Sequence, residues 1–238
     1  EATFGAALKA DKSLRERIEI ASKCGIMLTT DKVPARRVKH YDTSREHIMT
    51  SVENSLSRMG IDTLDVLMVH RPDPLFDAEE TGGALDALVE SGKVRAVGVS
   101  NFRPYDFRLL QSAMHATLVT NQVELSILHT APLVNGDIAF LQEKRLRPMA
   151  WSPLGGGALF APHNAELFAK MKAVGDAAEV DATAVALAFL LAHPSGVLPV
   201  VGTNNLSRIA ALSDAFKVRL DRETWFELYE QSLGHEVP

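Results

Sequence analysis

Residues 64–70, LDVLMVH, place five apolar side chains among six positions and then stop on a histidine. A short, nearly continuous apolar run ending on a polar residue is the pattern of a strand buried on both faces, as in a parallel sheet. The pattern recurs in five further runs: 17–24 (RIEIASKC), 94–100 (VRAVGVS), 118–124 (LVTNQVE), 147–152 (RPMAWS) and 197–203 (VLPVVGT). Between them the apolar spacing changes to the helical period. Residues 44–59 open with a capping-box pattern, Thr43 followed by Glu46, and place Ile48, Val52, Ser55, Leu56 and Met59 on one face. Further helices are expected over 78–91, 104–114, 132–144 and 165–192, the last broken near 180–183. One more follows Asn205, and another runs over 221–233.

Strands alternating with helices in one direction define an α/β protein with a parallel sheet, either doubly wound or closed into a barrel. Both forms bind ligands at the carboxyl ends of their strands. No strand is followed by a G-x-G-x-x-G turn, which counts against the dinucleotide-binding doubly wound form. The 238 residues show no low-complexity linker or shift in composition, so residues 1–238 are read as one domain.

Composition excludes several functional classes. With 46% apolar and 23% charged residues the chain has enough hydrophobic material for a core, unlike a disordered protein. The 30 acidic residues outnumber the 25 Lys and Arg, giving a net charge of −5 that offers no footprint for nucleic acid. No apolar run reaches the roughly 18 residues of a membrane span. The single cysteine, Cys24, cannot form an internal disulfide and fits a reducing cytoplasm.

Polar residues gather where the strands should end: Lys23, His70, Ser100 with Asn101, Asn121 with Gln122, Trp151 with Ser152, and Thr203 with Asn204. Singly, each has an ordinary structural explanation. Lys23 could be a surface cation, His70 a satisfied core histidine, Asn121 and Gln122 turn formers, and Trp151 a core tryptophan. Their recurrence on six parallel runs points to a site. No set of metal ligands is read among them.

The segments TLDVLMVHRPDP, SGKVRAVGVSNF, VTNQVE and MAWSPLGGG, in this order and spacing, resemble the aldo-keto reductase superfamily, NAD(P)H-dependent oxidoreductases built on a (β/α)8 TIM barrel. The resemblance runs along the whole chain. It is strongest to a bacterial oxidoreductase branch carrying HYD-S before a helix, HRPDP after the histidine and a tryptophan before SPLGGG.

The resemblance implies reduction of an aldehyde or ketone to an alcohol, with Lys23 as the active-site lysine and His70 polarising the carbonyl. It implies that Ser100, Asn101 and Gln122 hold the nicotinamide carboxamide, whose one acceptor and two donors require side chains of both kinds. Trp151 stands where the family stacks an aromatic ring on the nicotinamide. Backbone amides of the Ser152, Leu154, Gly155 and Gly156 loop would approach the pyrophosphate. Thr203, Asn204 and Arg208 would receive the 2′-phosphate of NADPH. NADPH is therefore expected over NAD, although Gly202 stands where many members have a lysine.

Members of the superfamily also use an aspartate and a tyrosine, the latter as proton donor, and the resemblance places both before Glu1. Eight strands close such a barrel and six runs are found; at about 30 residues per unit the first two strands, about 60 residues, would precede this sequence. Tyr41 is read as a loop residue, lining the substrate pocket or facing solvent. The expected partner is a small-molecule carbonyl compound, and the expected state a monomer or weak homodimer. Two other functions remain open at this stage: a nicotinamide-binding regulatory barrel without turnover, and a Schiff-base lyase using Lys23.

Overall fold

The computed structural model describes residues 1–30 and 36–238, which divide into two compact units, Glu1–Asn121 and Gln122–Pro238. The first contains α1 (Ala2–Ala10), α2 (Leu14–Arg17), β1 (Ala21–Cys24), β2 (Ile26–Met27), β3 (His40–Tyr41), α3 (Arg45–Met59), β4 (Leu64–Val69), α4 (Ala78–Glu90), β5 (Val94–Ser100) and α5 (Pro104–Ser112). It also holds the first residues of β6 (Leu118–Glu124), which runs across the division.

β1 pairs with β4 in parallel, Lys23 opposite Met68, and β4 pairs with β5 in parallel, Val69 opposite Val99. Glycine permits the close approach at Gly98, where a Cβ would lie 2.9 Å from Thr120 Cγ2. The strand expected from residue 17 begins only at Ala21, because Arg17 ends α2 and the Ile20 N–H is taken by the Asp65 carboxylate at 2.7 Å. The antiparallel pair β2–β3 was not legible in the sequence.

α3 buries Ile48, Val52, Ser55, Leu56 and Met59, the face given by the spacing. Each of its large apolar side chains contributes up to about 1.5–3 kcal/mol by leaving water. The cap differs by one residue from the expected box. Asp42 accepts the Ser44 N–H at 3.0 Å, and this turn brings the Ser44 hydroxyl to the His47 N–H at 3.3 Å. Thr43 is buried instead, its carbonyl accepting from the Thr81 hydroxyl at 2.9 Å.

The second unit contains the end of β6, then α6 (Ala131–Val134), α7 (Asp137–Glu143), β7 (Met149–Trp151), α8 (Ala165–Ala177), α9 (Ala182–Leu191), β8 (Leu198–Val200), α10 (Leu206–Ala211) and α11 (Arg222–Leu233). β6 pairs in parallel with β7, Glu124 opposite Trp151, and β7 with β8, Trp151 opposite Val200. The helix expected over 132–144 is divided by Gly136, whose φ of +96° no helix accommodates. The expected break near 180–183 is real: Asp181 caps α9, accepting the Ala184 N–H at 2.9 Å.

α9, apolar on every side, is enclosed in the core of this unit. Trp225 of α11 stacks on Phe189 at 4.5 Å between ring centres and donates its indole N–H to the Phe189 carbonyl at 3.0 Å. A half-buried tryptophan thus gains both contact area and a satisfied donor.

Candidate functional site

Three parallel strands of the first unit end together. Lys23 is the penultimate residue of β1, His70 directly follows β4, and Ser100 with Asn101 closes β5. The His70 N–H extends the ladder by donating to the Cys24 carbonyl at 2.9 Å. The Asn101 side-chain amide donates to the Ser100 hydroxyl at 2.8 Å and lies 3.4 Å from the His70 carbonyl. These bonds tie the polar ends of β4 and β5 to one another.

The backbone is constrained here. Asn101 has a φ of +61°, a left-handed conformation that a non-glycine residue holds only when its surroundings enforce it. The next turn is fixed by Asn121, whose amide donates to the Phe102 carbonyl at 2.7 Å while its Oδ1 is buried without a hydrogen-bond partner. A lone buried acceptor of this kind is costly unless a ligand or water meets it.

Electrostatics at these strand ends favour neutral histidine. Burial lowers the pKa of the His70 imidazole, and the nearby cations Lys23, Arg71 and Lys39 lower it further. Burial also lowers that of the Lys23 ammonium. A neutral imidazole can donate an N–H to a carbonyl oxygen at physiological pH, and an ammonium beside it stabilises negative charge that develops there. Tyr41, expected in a loop, is half-buried in β3 opposite Ile26.

The second unit contributes a different kind of site. Trp151 ends β7 half-buried, and Gln122 is buried in β6 opposite Met149. Ser152 then turns the chain with a φ of +50°, and three glycines with positive φ follow it. A cavity of about 570 Å³ opens beside this loop, lined by Ser152, Leu154, Gly156 and Gly157 on one wall and by Thr203 and Arg208 on another. A Cβ added at Gly156 or Gly157 would meet nothing within 4 Å, so their positive φ, and not crowding, is what favours glycine in this wall.

The expected residues thus separate by role. Leu154 and Gly156 line the cavity, whereas Gly155 packs against Leu128, where a Cβ would lie 2.9 Å from the Leu128 side chain. The Gly155 N–H donates within the loop to the Ser152 carbonyl at 2.8 Å. Thr203 lines the cavity and accepts the Asn205 N–H at 3.2 Å; Asn204 is exposed and outside the lining. The Asn205 side chain caps α10 by accepting the Arg208 N–H at 3.1 Å, so that N–H is committed within the helix start. Sequence reasoning missed Asp181, Thr183 and Leu187, which line the same cavity from the start of α9. The only trace in the sequence was the helix break itself.

Parallel strands of an α/β fold thus carry a lysine and a histidine at their carboxyl ends in the first unit, and a glycine-rich loop borders a cavity in the second. The chain belongs to the aldo/keto reductase family, whose model matches residues 1–231. It is 59% identical over 237 residues to the 6-dehydroglucose reductase of Agrobacterium fabrum (strain C58), a match covering 100% of this chain and 80% of that protein. It is 45% identical over 243 residues to oxidoreductase YdhF of Escherichia coli (strain K12), covering 100% of this chain and 80% of that one. In structure it is similar to the thermostable aldo-keto reductase Tm1743, solved with the inhibitor epalrestat, at a TM-score of 0.82 and 25% identity, covering 97% of this chain and 76% of that one. The fold is therefore that of the TIM-barrel aldo-keto reductases, and the chain is an oxidoreductase of a family that reduces carbonyl compounds with nicotinamide cofactors.

Proposed function

We propose that the protein reduces an aldehyde to an alcohol with NADPH, and that Lys23 and His70 act on the carbonyl. The observation that carries this reading is the placement of half-buried Lys23 and His70 at the ends of paired parallel strands, each with its charged form disfavoured by burial. His70 donates an imidazole N–H to the substrate oxygen. The Lys23 ammonium stabilises the negative charge that builds on that oxygen as the carbonyl carbon is reduced. NADPH, when bound, would supply the hydride to the carbonyl carbon, and a proton taken up from solvent completes the alcohol.

Ser100, Asn101 and Gln122 are assigned to the nicotinamide carboxamide, and Trp151 to the face of its ring. Support comes from the bonding of Asn101 to Ser100 and from the unsatisfied Asn121 acceptor in the same turn region. Ser152, Leu154 and Gly156 border the pyrophosphate, with Gly155 shaping the loop. Thr203 and Arg208 take the 2′-phosphate, with Asn204 beside them on the exposed rim; this favours NADPH over NAD even with Gly202 in place of a lysine.

The 59% identity to a reductase named for 6-dehydroglucose supports, as the substrate class, a sugar carrying an aldehyde at its terminal carbon. The protein is placed in the cytoplasm, a setting that keeps its one cysteine reduced, acting on small molecules as a monomer or weak homodimer. Among the described residues no helix is long and apolar enough to cross a membrane.

The test is consumption of NADPH, and separately NADH, with 6-dehydroglucose and a panel of simple aldehydes and ketones. Turnover with the sugar aldehyde and NADPH is expected. Absence of NADPH consumption with every carbonyl would contradict the proposal.

A further inference from the structure

The first unit has a concavity of its own, at the opposite end of its strands from Lys23 and His70. A groove of about 710 Å³ is bordered by the ends of α1 and α3, by residues around the start of α2 and by the start of β5. Thr63, on its wall, directly precedes β4, whereas His70 directly follows that strand. Lys9, Lys12, Arg15, Arg58 and Arg95 line it, and Asp62 is the one carboxylate on the lining among the described residues.

The fold builds this cluster. Gly5 lets α1 lie against the end of α3, since a Cβ there would fall 2.5 Å from the Arg58 carbonyl oxygen. Lys9 follows one turn later on the same helix face, toward that end of α3. Arg15 is spent on the fold: its guanidinium bonds the Asp65 carboxylate at 2.8 Å and the carbonyls of Ile18 and Thr63 at 3.2 and 3.0 Å. Arg95 gives Nη1 to Asp65 at 2.8 Å, and Arg58 gives Nη1 to Glu1 at 3.1 Å, so each keeps further N–H donors for a ligand. Among the described residues neither Lys9 nor Lys12 forms an ion pair.

Helix dipoles explain part of this charge, because Lys9 and Arg58 lie in last turns, where carbonyl ends favour cations. They do not explain Lys12 and Arg95, which lie outside those turns and line the same groove. Cations gathered around one concavity repel one another, and a bound anion relieves the repulsion. The groove is of small-molecule size, larger than a single phosphate needs, and its cations come from separate elements.

We propose that this groove binds a small molecule carrying two phosphate groups, held jointly by Lys9, Lys12, Arg58 and Arg95. The site is separate from the strand ends that carry Lys23 and His70, and the proposal does not depend on the NADPH reading.

The experiment titrates the ¹⁵N-labelled protein at fixed ionic strength with fructose 1,6-bisphosphate as the probe, and with inorganic phosphate and fructose for comparison. The largest amide shifts should fall in 9–15 and 58–63, with the bisphosphate binding at least about tenfold more tightly than inorganic phosphate and fructose not binding. Lys9→Gln with Lys12→Gln, two exposed changes that leave the amide spectrum of the fold intact, should weaken the bisphosphate about tenfold or more. Asp62→Asn should tighten it, a gain that a damaged fold cannot imitate. Arg222→Gln, an exposed cation of the second unit, should change little.

Absence of bisphosphate binding would overturn the proposal, as would shifts centred on 152–157 and 203–208. Inorganic phosphate binding as tightly as the bisphosphate would also overturn it. So would an affinity indifferent to the double lysine variant, or one that falls as much in Arg222→Gln, the mark of general charge attraction.

Discussion

The backbone N–H of His70 donates to the carbonyl of Cys24 at 2.9 Å, one rung beyond the pairing that sets Lys23 opposite Met68. The histidine is therefore held by main-chain geometry on the strand beside the lysine, and after burial the Lys23 cation does most to depress its pKa. A rigid ladder, not a mobile loop, sets the position of this pair.

A titration follows from that coupling. Replacing Lys23 by Met removes a cation near His70, so the His70 midpoint measured by NMR should move upward toward the ordinary value of about 6.5. Arg71, Lys39 and burial keep it from reaching that value. An unchanged midpoint in Lys23→Met would mean the two side chains do not sense each other.

Stability should respond to pH with a defined sign. His47, His70 and His193 all have pKa values lowered chiefly by burial. Below about pH 6.5 the unfolded chain takes up protons that the folded chain resists, so this stability is present above that pH and is lost as pH falls through the folded values. Urea unfolding between neutral and mildly acidic pH should show the decline, with Lys23→Met showing a smaller one. A flat profile would contradict the buried-histidine account.

Cys24 is enclosed, and burial pushes its thiol up to about 12. At about pH 8 it should not react with an aromatic disulfide reagent in the folded protein, since the thiolate is the reactive form. One equivalent should appear on unfolding. Rapid labelling of the native protein would place the β1 end in solvent.

Asp65 joins the start of β4 to the segment before β1. Its carboxylate is 5% exposed and bonds the Ile20 N–H at 2.7 Å and the guanidinium groups of Arg15 and Arg95 at 2.8 Å each. Burial raises its pKa, but the Ile20 N–H and the two arginines outweigh this and hold it below the usual carboxylate value. Asp65→Ala should cost about 2 kcal/mol, less than a fully buried pair because both arginines reach solvent. Denaturant unfolding with no loss of stability would show the network to be inert.

Much of this arrangement was legible because it is periodic. The face Ile48, Val52, Ser55, Leu56 and Met59 followed from helical spacing, and the strand ends at Lys23, His70 and Ser100 followed from where apolar runs stop. What was missed depends on local turns or on distant segments. An Asx turn at Asp42 moved the α3 cap from Thr43 to Ser44. Gly155, adjacent in sequence to cavity-lining residues, serves packing against Leu128. Asp181 and Thr183 reach the cavity from a helix start more than twenty residues after the glycine loop, a proximity that periodicity does not encode.

Arg208 lines the cavity, and its backbone N–H is already used by the Asn205 cap, so the proposed contact to the 2′-phosphate falls to the guanidinium. Arg208→Ala should weaken NADPH about 10- to 100-fold while leaving NADH nearly unchanged, as expected for loss of a charge-assisted contact. Equal loss for the two cofactors, measured by fluorescence titration, would remove Arg208 from the 2′-phosphate.

The central claim is that Lys23 and His70 act on the reacting carbonyl and not on the distant phosphates, and the split between turnover and binding tests it most directly. In Lys23→Met and His70→Ala, steady-state kinetics with 6-dehydroglucose should show kcat falling by about 10²-fold or more, the range of a lost transition-state donor, while the NADPH dissociation constant changes little. Near-wild-type kcat in both variants, or a loss of activity explained wholly by weaker NADPH binding, would contradict it.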